Sequence, residues 1–333
     1  MKKTSRLFLL LIAFTLLISC ALFVFGRRDG SVAADANGVM KATSLHFINV
    51  NTKLAGENDC TANSVLIQHN GKNILIDTGI YYESSKEKVV EYLKKQGVQK
   101  VDYLILTHFH NDHIGGADAV VKSFDIGKVY FKMTDNLIKS NTYPKHDYDN
   151  VILSLRYKVN SDKTYPRTIE PKKEGYRVQV DKETYFEFYN CTEMFSDKNM
   201  GLDANYYSLM VLFAHGNAKA FIGGDAADLS DKYIVNKIGH VDVFGLQHHG
   251  TDLPYNSQVI FDELTPTYSI ATTYFWDETV PGFNHMIYLP GKGVLERAKK
   301  VNSTVLLTGD LDHIVFDSNS QNFIIRNKIT ISR

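Results

Sequence analysis

The chain has 333 residues, 44% of them hydrophobic, with 37 basic and 37 acidic side chains. That length suits one large domain or two small ones, and the composition excludes a mainly disordered chain. The first 36 residues hold five of the bases and two of the acids, leaving 32 against 35, so the remainder lacks the basic surplus that grips a nucleic-acid backbone.

Lys2, Lys3 and Arg6 precede an uncharged, mostly apolar run from Leu7 to Gly26. A run of that length can span a bilayer as a helix, and it is long for the apolar core of a cleaved signal. Residues 1–28 are therefore expected to be a signal peptide or membrane anchor. Three forms are open: a signal-anchor helix, a lipoprotein signal ending in "LISC" at Cys20, or a secretory signal cut near "SVAADA". Each exports the folded part, to the outer face of the cytoplasmic membrane or into the medium. Residues 29–42 read as a polar linker and 43–333 as the folded domain. Cys60 and Cys191 remain in that part, either paired outside the cell or standing as separate buried thiols.

From residue 44, "SLHFINV" reads as a strand, and two apolar runs around Asn70-Gly71 read as a hairpin. "SSKEKVVEYLKKQG" predicts a helix capped by Ser84 or Ser85 and stopped by Gly97. "KVDYLIL" predicts a buried strand, and "IGGADAVVKSF" the next helix. Farther on, "RVQV" and "TYFEFYN" read as strands, and "SLMVLFAHGNAKAFIGGDA" as a hairpin turning at His215-Gly216-Asn217. "HVDVFGLQHHGT" runs from a strand into a histidine-bearing loop, and a strand, a helix and two strands close the chain. Hairpins and helices mix in both halves, which predicts two packed sheets with helices outside.

Between the buried strand and its helix stands "THFHNDHIGG", with three histidines and an aspartate in six positions. His108 and His110 alternate with Phe109, so both imidazoles can face one way, and Asp112 and His113 follow where the loop turns into a helix. Imidazole and carboxylate donors together suit zinc, and also manganese or iron. Two pairs of donors in so short a loop can serve two adjacent metals. The expected cofactor is one or two divalent ions, zinc first and manganese second.

This loop resembles the H-x-H-x-D-H signature of the metallo-β-lactamase-fold hydrolase superfamily, complete here as His108, His110, Asp112 and His113. The resemblance implies an α/β fold, the αββα four-layer sandwich, with metals at one edge of the paired sheets. It implies a bridging aspartate, matched by Asp225 in "AFIGGDA", and a late histidine, matched by the His248-His249 pair. It also implies an early aspartate supporting the metal loop, matched by Asp77 in "ILIDTG". The usual histidine shortly before the bridging aspartate is missing. His215 falls at the turn of the hairpin whose other end carries Asp225, and ten residues of strand span ~33 Å, so it should lie far from the metals. Counting back across that turn lands near Asn205, which is expected beside Asp225 in the histidine's place.

With that departure the chain looks like the soluble hydrolase domain of the bacterial DNA-uptake channel family (ComEC/Rec2-type) and its exported stand-alone relatives. The likeness includes "SIATTYFWDETVPGFNHMIYLPGKGVLERA", where His285 matches a loop histidine assigned to the substrate side. The family's opening "GQGDA" is poorly kept, as "GENDCTANS". By analogy with exported phosphocholine-ester hydrolases of this fold, His249 is taken as the metal ligand and His248 as a donor to substrate.

A bound metal lowers the pKa of water to roughly 7, giving a nucleophile at neutral pH. Asp225 would hold the metals together, Asp112 would orient the nucleophile, and His248 would stabilise a leaving or non-bridging oxygen. The expected reaction is hydrolysis of a small or polymeric phosphodiester. A hydrolase of carboxylic esters, lactones or β-lactams is the alternative. The third is a non-catalytic surface binding module using Tyr206, Tyr207, Tyr255, Phe275 and Trp276. No G-x-S-x-G is present to support a serine nucleophile.

Overall fold

The computed structural model describes residues 43–51, 61–132, 167–192, 204–273 and 290–326. Residues 1–42, Cys60, Phe275, Trp276 and His285 lie outside the described residues. All that is described belongs to a unit beginning at Ala42. Among the described residues no helix is long and apolar enough to cross a membrane.

The strands are β1 (Thr43–Phe47), β2 (Val65–His69), β3 (Lys72–Ile76), β4 (Lys100–Ile105), β5 (Asp125–Tyr130), β6 (Arg167–Ile169), β7 (Tyr176–Gln179), β8 (Thr184–Tyr189), β9 (Met210–His215), β10 (Ala218–Ile222), β11 (Val243–Gly245), β12 (Tyr268–Ala271), β13 (Thr304–Leu307), β14 (Ile314–Ser318) and β15 (Phe323–Ile325). Among the described residues they form one sheet in the order β15-β14-β1-β2-β3-β4-β5-β6 and another in the order β13-β12-β11-β10-β9-β8-β7. The helices are α1 (Glu83–Lys95), α2 (Asn111–Ile114), α3 (Ala117–Ser123), α4 (Asp228–Asp231), α5 (Gln258–Leu264), α6 (Lys292–Lys300) and α7 (Thr308–Leu311).

Successive residues of a strand face opposite sides, and here both sides are apolar. In the first sheet Val65, Ile67, Ile74 and Ile76 join Phe186, Phe188, Val211 and Phe213 of the second in one buried cluster between the sheets. Leu66 and Leu75 turn outward onto Val89 and Leu93 of α1 and Val120 of α3. Met210, Leu212 and Phe244 turn outward from the second sheet onto Ile260 and Phe261 of α5 and Val294 of α6. Three apolar layers between four layers of structure make the αββα sandwich. Each fully buried side chain of this size contributes about 1.5–3 kcal/mol, which is why neither sheet is stable with a face uncovered.

The β2–β3 hairpin turns at Asn70-Gly71, both in the left-handed region. α1 starts at Glu83, so Ser84 and Ser85 lie inside its first turn rather than capping it. The Ser85 hydroxyl instead accepts from Ile80 N, tying the helix to the chain before it. Cys191 is buried with a free thiol.

Strands β3 and β4 run parallel in the first sheet, and β10 and β11 parallel in the second. The residues after their C-terminal ends are Asp77, the His108 loop, Asp225 and the His248-His249 pair. A hydrogen bond from Leu209 N to Thr107 O at 2.9 Å joins the two sheets there.

Candidate metal centre

The loop after β4 is gripped by the turn after β3. Thr78 N donates to His113 O at 2.6 Å, Thr78 Oγ1 donates to the same oxygen at 3.0 Å, and Asn63 N donates to Asp112 O at 3.0 Å. The contact is close enough to require glycine: a Cβ on Gly115 would lie 2.1 Å from Tyr81 N, and one on Gly116 2.2 Å from Thr78 O. The "GG" that ends the motif is therefore a packing requirement.

Two groups of side chains converge at this edge. Asp112, His113, Asp225 and His249 form one, and His108, His110 and Asp225 the other, with the donor atoms of each group within 4.8 Å of one another. Asp225 belongs to both. Its Oδ1 lies 3.0 Å from His113 Nε2 and its Oδ2 3.5 Å from His108 Nε2. His108 Nε2 is 3.1 Å from His110 Nδ1, and His249 Nε2 is 3.1 Å from Asp112 Oδ2. His248 stays at the rim, its side chain 28% exposed and its Nε2 3.7 Å from Asp225 Oδ2.

A divalent cation fits this donor set. His113 Nε2 and both carboxylate oxygens of Asp225 are buried with no partner of good hydrogen-bond geometry, the 3.0 Å approach of Nε2 to Oδ1 being an ion-pair contact, a state that is costly for polar atoms unless something else binds them. Imidazole nitrogens and carboxylate oxygens are the ligands that zinc and manganese take. The charges agree. Burial disfavours charge on His113, but Asp225 and Asp77 outweigh it and raise its pKa well above the usual imidazole value. Burial opposes ionisation of Asp225 as well, yet the neighbouring His113, His248 and His108 hold it well below the carboxylate range. Asp112 is also lowered, against its burial, by the hydrogen bond from His249 and by His113. His108 goes down, from burial first and from the charge of His113 second. The centre concentrates negative charge that a divalent cation would balance.

Other residues aim these side chains. Asp77 is fully buried; its Oδ2 is 2.7 Å from His113 Nδ1 and accepts from Thr107 Oγ1 at 2.8 Å and Asn63 Nδ2 at 2.9 Å. Its Oδ1 accepts from Thr107 N at 2.8 Å. Partners of this kind fix which nitrogen of an imidazole faces a metal. Thr272 Oγ1 does the same for His249, at 2.9 Å from its Nδ1.

Asn205 does not stand opposite Asp225. Ala218 pairs with His215 and Ile222 with Val211, and continuing that register brings Ser208 opposite Asp225. The Ser208 hydroxyl accepts from Asp225 N at 3.0 Å. Asn205 sits one turn earlier, in a short 3-10 turn (Ala204–Tyr207), and its Nδ2 donates to the Tyr255 hydroxyl at 3.0 Å. The Tyr255 ring lies 4.2 Å from that of His248, so Asn205 reaches the rim of the site through Tyr255. His215 does lie at the far end of its strand, where its Nδ1 pairs with Ser318 Oγ at 2.9 Å. Thr107, Asn63, Ser208 and Thr272 belong to no motif of the sequence. Their only signals were adjacency to the motif for Thr107 and hairpin register for Ser208.

Comparison with known proteins agrees with the geometry. Residues 58–151 match the family model described as the metallo-beta-lactamase superfamily. The chain has the metallo-β-lactamase fold. It is similar to Recombination protein 2 of Haemophilus influenzae, 24% identical over 246 residues that make up 73% of this chain and 26% of that protein. It is also similar to Competence protein ComA of Neisseria gonorrhoeae, 22% identical over 213 residues, 63% of this chain and 25% of that one. The metallo-β-lactamase-fold chain thus spans about a quarter of the length of these curated relatives. Among solved structures, a mutant of the CmlA beta-hydroxylase superposes with a TM-score of 0.50 at 12% identity, over 82% of this chain and 53% of that one. That likeness supports the fold alone.

Proposed function

We propose that the chain is a metal-dependent hydrolase of phosphodiesters. The observation that carries the reading is the shared carboxylate: Asp225 belongs to both donor groups, the arrangement that holds two cations side by side. Bound divalent ions, zinc in the first instance and manganese in the second, would supply Lewis acidity and an acidified water. Asp225 would keep the two ions together. Asp112, whose side chain is 22% exposed, would orient the attacking water from the open side. His248, the more exposed member of the histidine pair, would donate a hydrogen bond to a non-bridging or leaving oxygen.

The phosphodiester class is supported by the similarity to proteins named for recombination and competence. Without a basic surplus in the folded part, the substrate is read as a small phosphoester or a polymer held locally rather than along a charged track. Export, with attachment through the N-terminus, is supported by the basic residues that precede the apolar run from Leu7 to Gly26.

The test is turnover of bis(p-nitrophenyl) phosphate beside p-nitrophenyl acetate and a chromogenic β-lactam, with and without added zinc or manganese. Metal-dependent cleavage of the diester, lost in Asp112→Asn, is expected. Cleavage of the carboxylic ester or β-lactam alone would move the reading to the other hydrolase class. No turnover in any metal, with binding kept, would leave a binding module.

A further inference from the structure

The two histidines after β11 sit on a backbone that L residues avoid. His248 has φ 45° and ψ 53°, His249 has φ 57° and ψ 14°, and Gly250 has φ 94°. Two consecutive non-glycine residues in the left-handed region persist only where surrounding structure enforces them, and such enforced strain clusters at functional sites.

His248 N donates to Gly224 O and Gly291 N to Gly250 O, each at 2.9 Å, and one buried side chain ties the two ends of the turn together. Asn256 Oδ1 accepts from Gln247 N at 2.9 Å, on the residue before the turn. Asn256 Nδ2 donates to Gln247 O at 2.7 Å and to Thr251 O at 2.8 Å, on the residue after it. Asn256 N donates to Gln247 Oε1 at 2.7 Å, so each side-chain amide binds the other residue's backbone. Both residues are fully buried. The assembly is anchored in turn: Gln247 Nε2 donates to Asp231 Oδ1 at 3.0 Å, and Arg297 Nε donates to Asn256 O at 2.7 Å. One side-chain amide therefore clips both ends of the five-residue segment from Gln247 to Thr251, whose strained middle includes His249 of the four-residue donor group.

We propose that Asn256 is a positioning residue for the metal centre, holding the left-handed His248–His249 turn so that His249 stays in reach of Asp112, His113 and Asp225. The inference rests on the metal-centre reading above and adds a determinant of the affinity of one of its two ions. His108 and His110 come from the loop after β4 and owe nothing to the clip, so the other ion should be indifferent to it.

The experiment is zinc binding to the full chain by competition with a chromophoric chelator, in the wild type, in Asn256→Ala, and in Asn256→Ala combined with His248→Gly. Removing a group that orients a ligand typically weakens metal binding 10- to 100-fold. One zinc equivalent is expected to weaken by about that factor in Asn256→Ala while the other keeps its affinity. Glycine at 248 enters the left-handed region freely, so the double variant is expected to recover most of the loss, a rescue that a merely structural role would not give. If Asn256→Ala does not fold, Asn256→Asp, which keeps the acceptor and removes both amide donors, carries the same comparison. Wild-type affinity for both equivalents in the variant, or equal weakening of both, would overturn the inference and leave the metal centre standing. A wild-type chain that binds no zinc would remove the centre and the inference together.

Discussion

Asp77 Oδ2 lies 2.7 Å from His113 Nδ1, on the side of the ring away from the cluster, and leaves Nε2 facing Asp225 Oδ1 at 3.0 Å. One carboxylate that joins neither donor group thereby decides which nitrogen of a central imidazole is offered to a metal. Asp77→Asn keeps the size but replaces an oxygen that serves three partners. The expected result is a folded protein whose zinc affinity falls 10- to 100-fold, read by chelator competition. Unchanged affinity would show that the loop backbone alone orients His113.

The grip of the β3 turn on the metal loop makes a prediction about stability. A methyl on Gly115 would meet Tyr81 N and Asn111 O at 2.1 and 2.2 Å, both backbone atoms. Overpacking of this kind costs about 1–3 kcal/mol, and here rigid backbone must move. Gly115→Ala is expected to lower the denaturant midpoint and loosen metal binding together, whereas Gly97→Ala, with no atom within 4 Å of its Cβ, should affect stability through its φ of 74° alone. Equal metal affinity in Gly115→Ala and wild type would contradict the packing argument.

His46 is buried between Tyr92 OH, 2.8 Å from its Nδ1, and Ser44 Oγ, 2.7 Å from its Nε2. Burial first, and Arg326 second, lower its pKa to about 4. The unfolded chain binds this proton near pH 6.5 and the folded one near pH 4, so stability is whole above 6.5 and falls as pH drops between them. The full difference is about 3 kcal/mol. Unfolding free energies from urea titrations of wild type and His46→Gln across pH 4 to 7 should diverge by that order, the variant showing the shallower pH dependence.

Asp231 has the opposite sign. Burial raises its carboxyl to about 6, against the hydrogen bonds from Ser257 and Gln247. The folded state holds its proton where the unfolded state has lost it, so this group's contribution declines as pH rises from about 4 to 6 and stays lost above. Asp231→Asn should match the wild type at pH 4 and exceed it by up to about 3 kcal/mol at pH 7. A variant less stable at pH 7 would mean that the ionised form is the one the fold accommodates.

Much of this architecture was legible because its signals are local. The Asn70-Gly71 hairpin, the apolar runs of β4 and β10 and the six-residue metal motif each lie within one short window. β5 is harder to read, because Gly127 interrupts its pattern; that glycine is needed where a Cβ would lie 2.4 Å from Asp102 O on the neighbouring strand. α5 is short, and its one local signal is its cap Ser257, whose side chain accepts from Ile260 N. Asn205 lies three residues beyond the partner of Asp225: the two-residue turn at Gly216-Asn217 puts Ser208 opposite Asp225. Asn256 carried no readable signal at all. Its work lies in bonds to Gln247 and Thr251, which nothing in the pattern of "LPYNSQ" announces.

The most direct test of the central claim is the metal content of the purified chain, loaded with zinc, dialysed and measured by plasma mass spectrometry beside Asp225→Ala. The shared position of Asp225 predicts close to two equivalents in the wild type and a loss from both groups in the variant. No retained metal in the wild type, or two equivalents retained without Asp225, would contradict it.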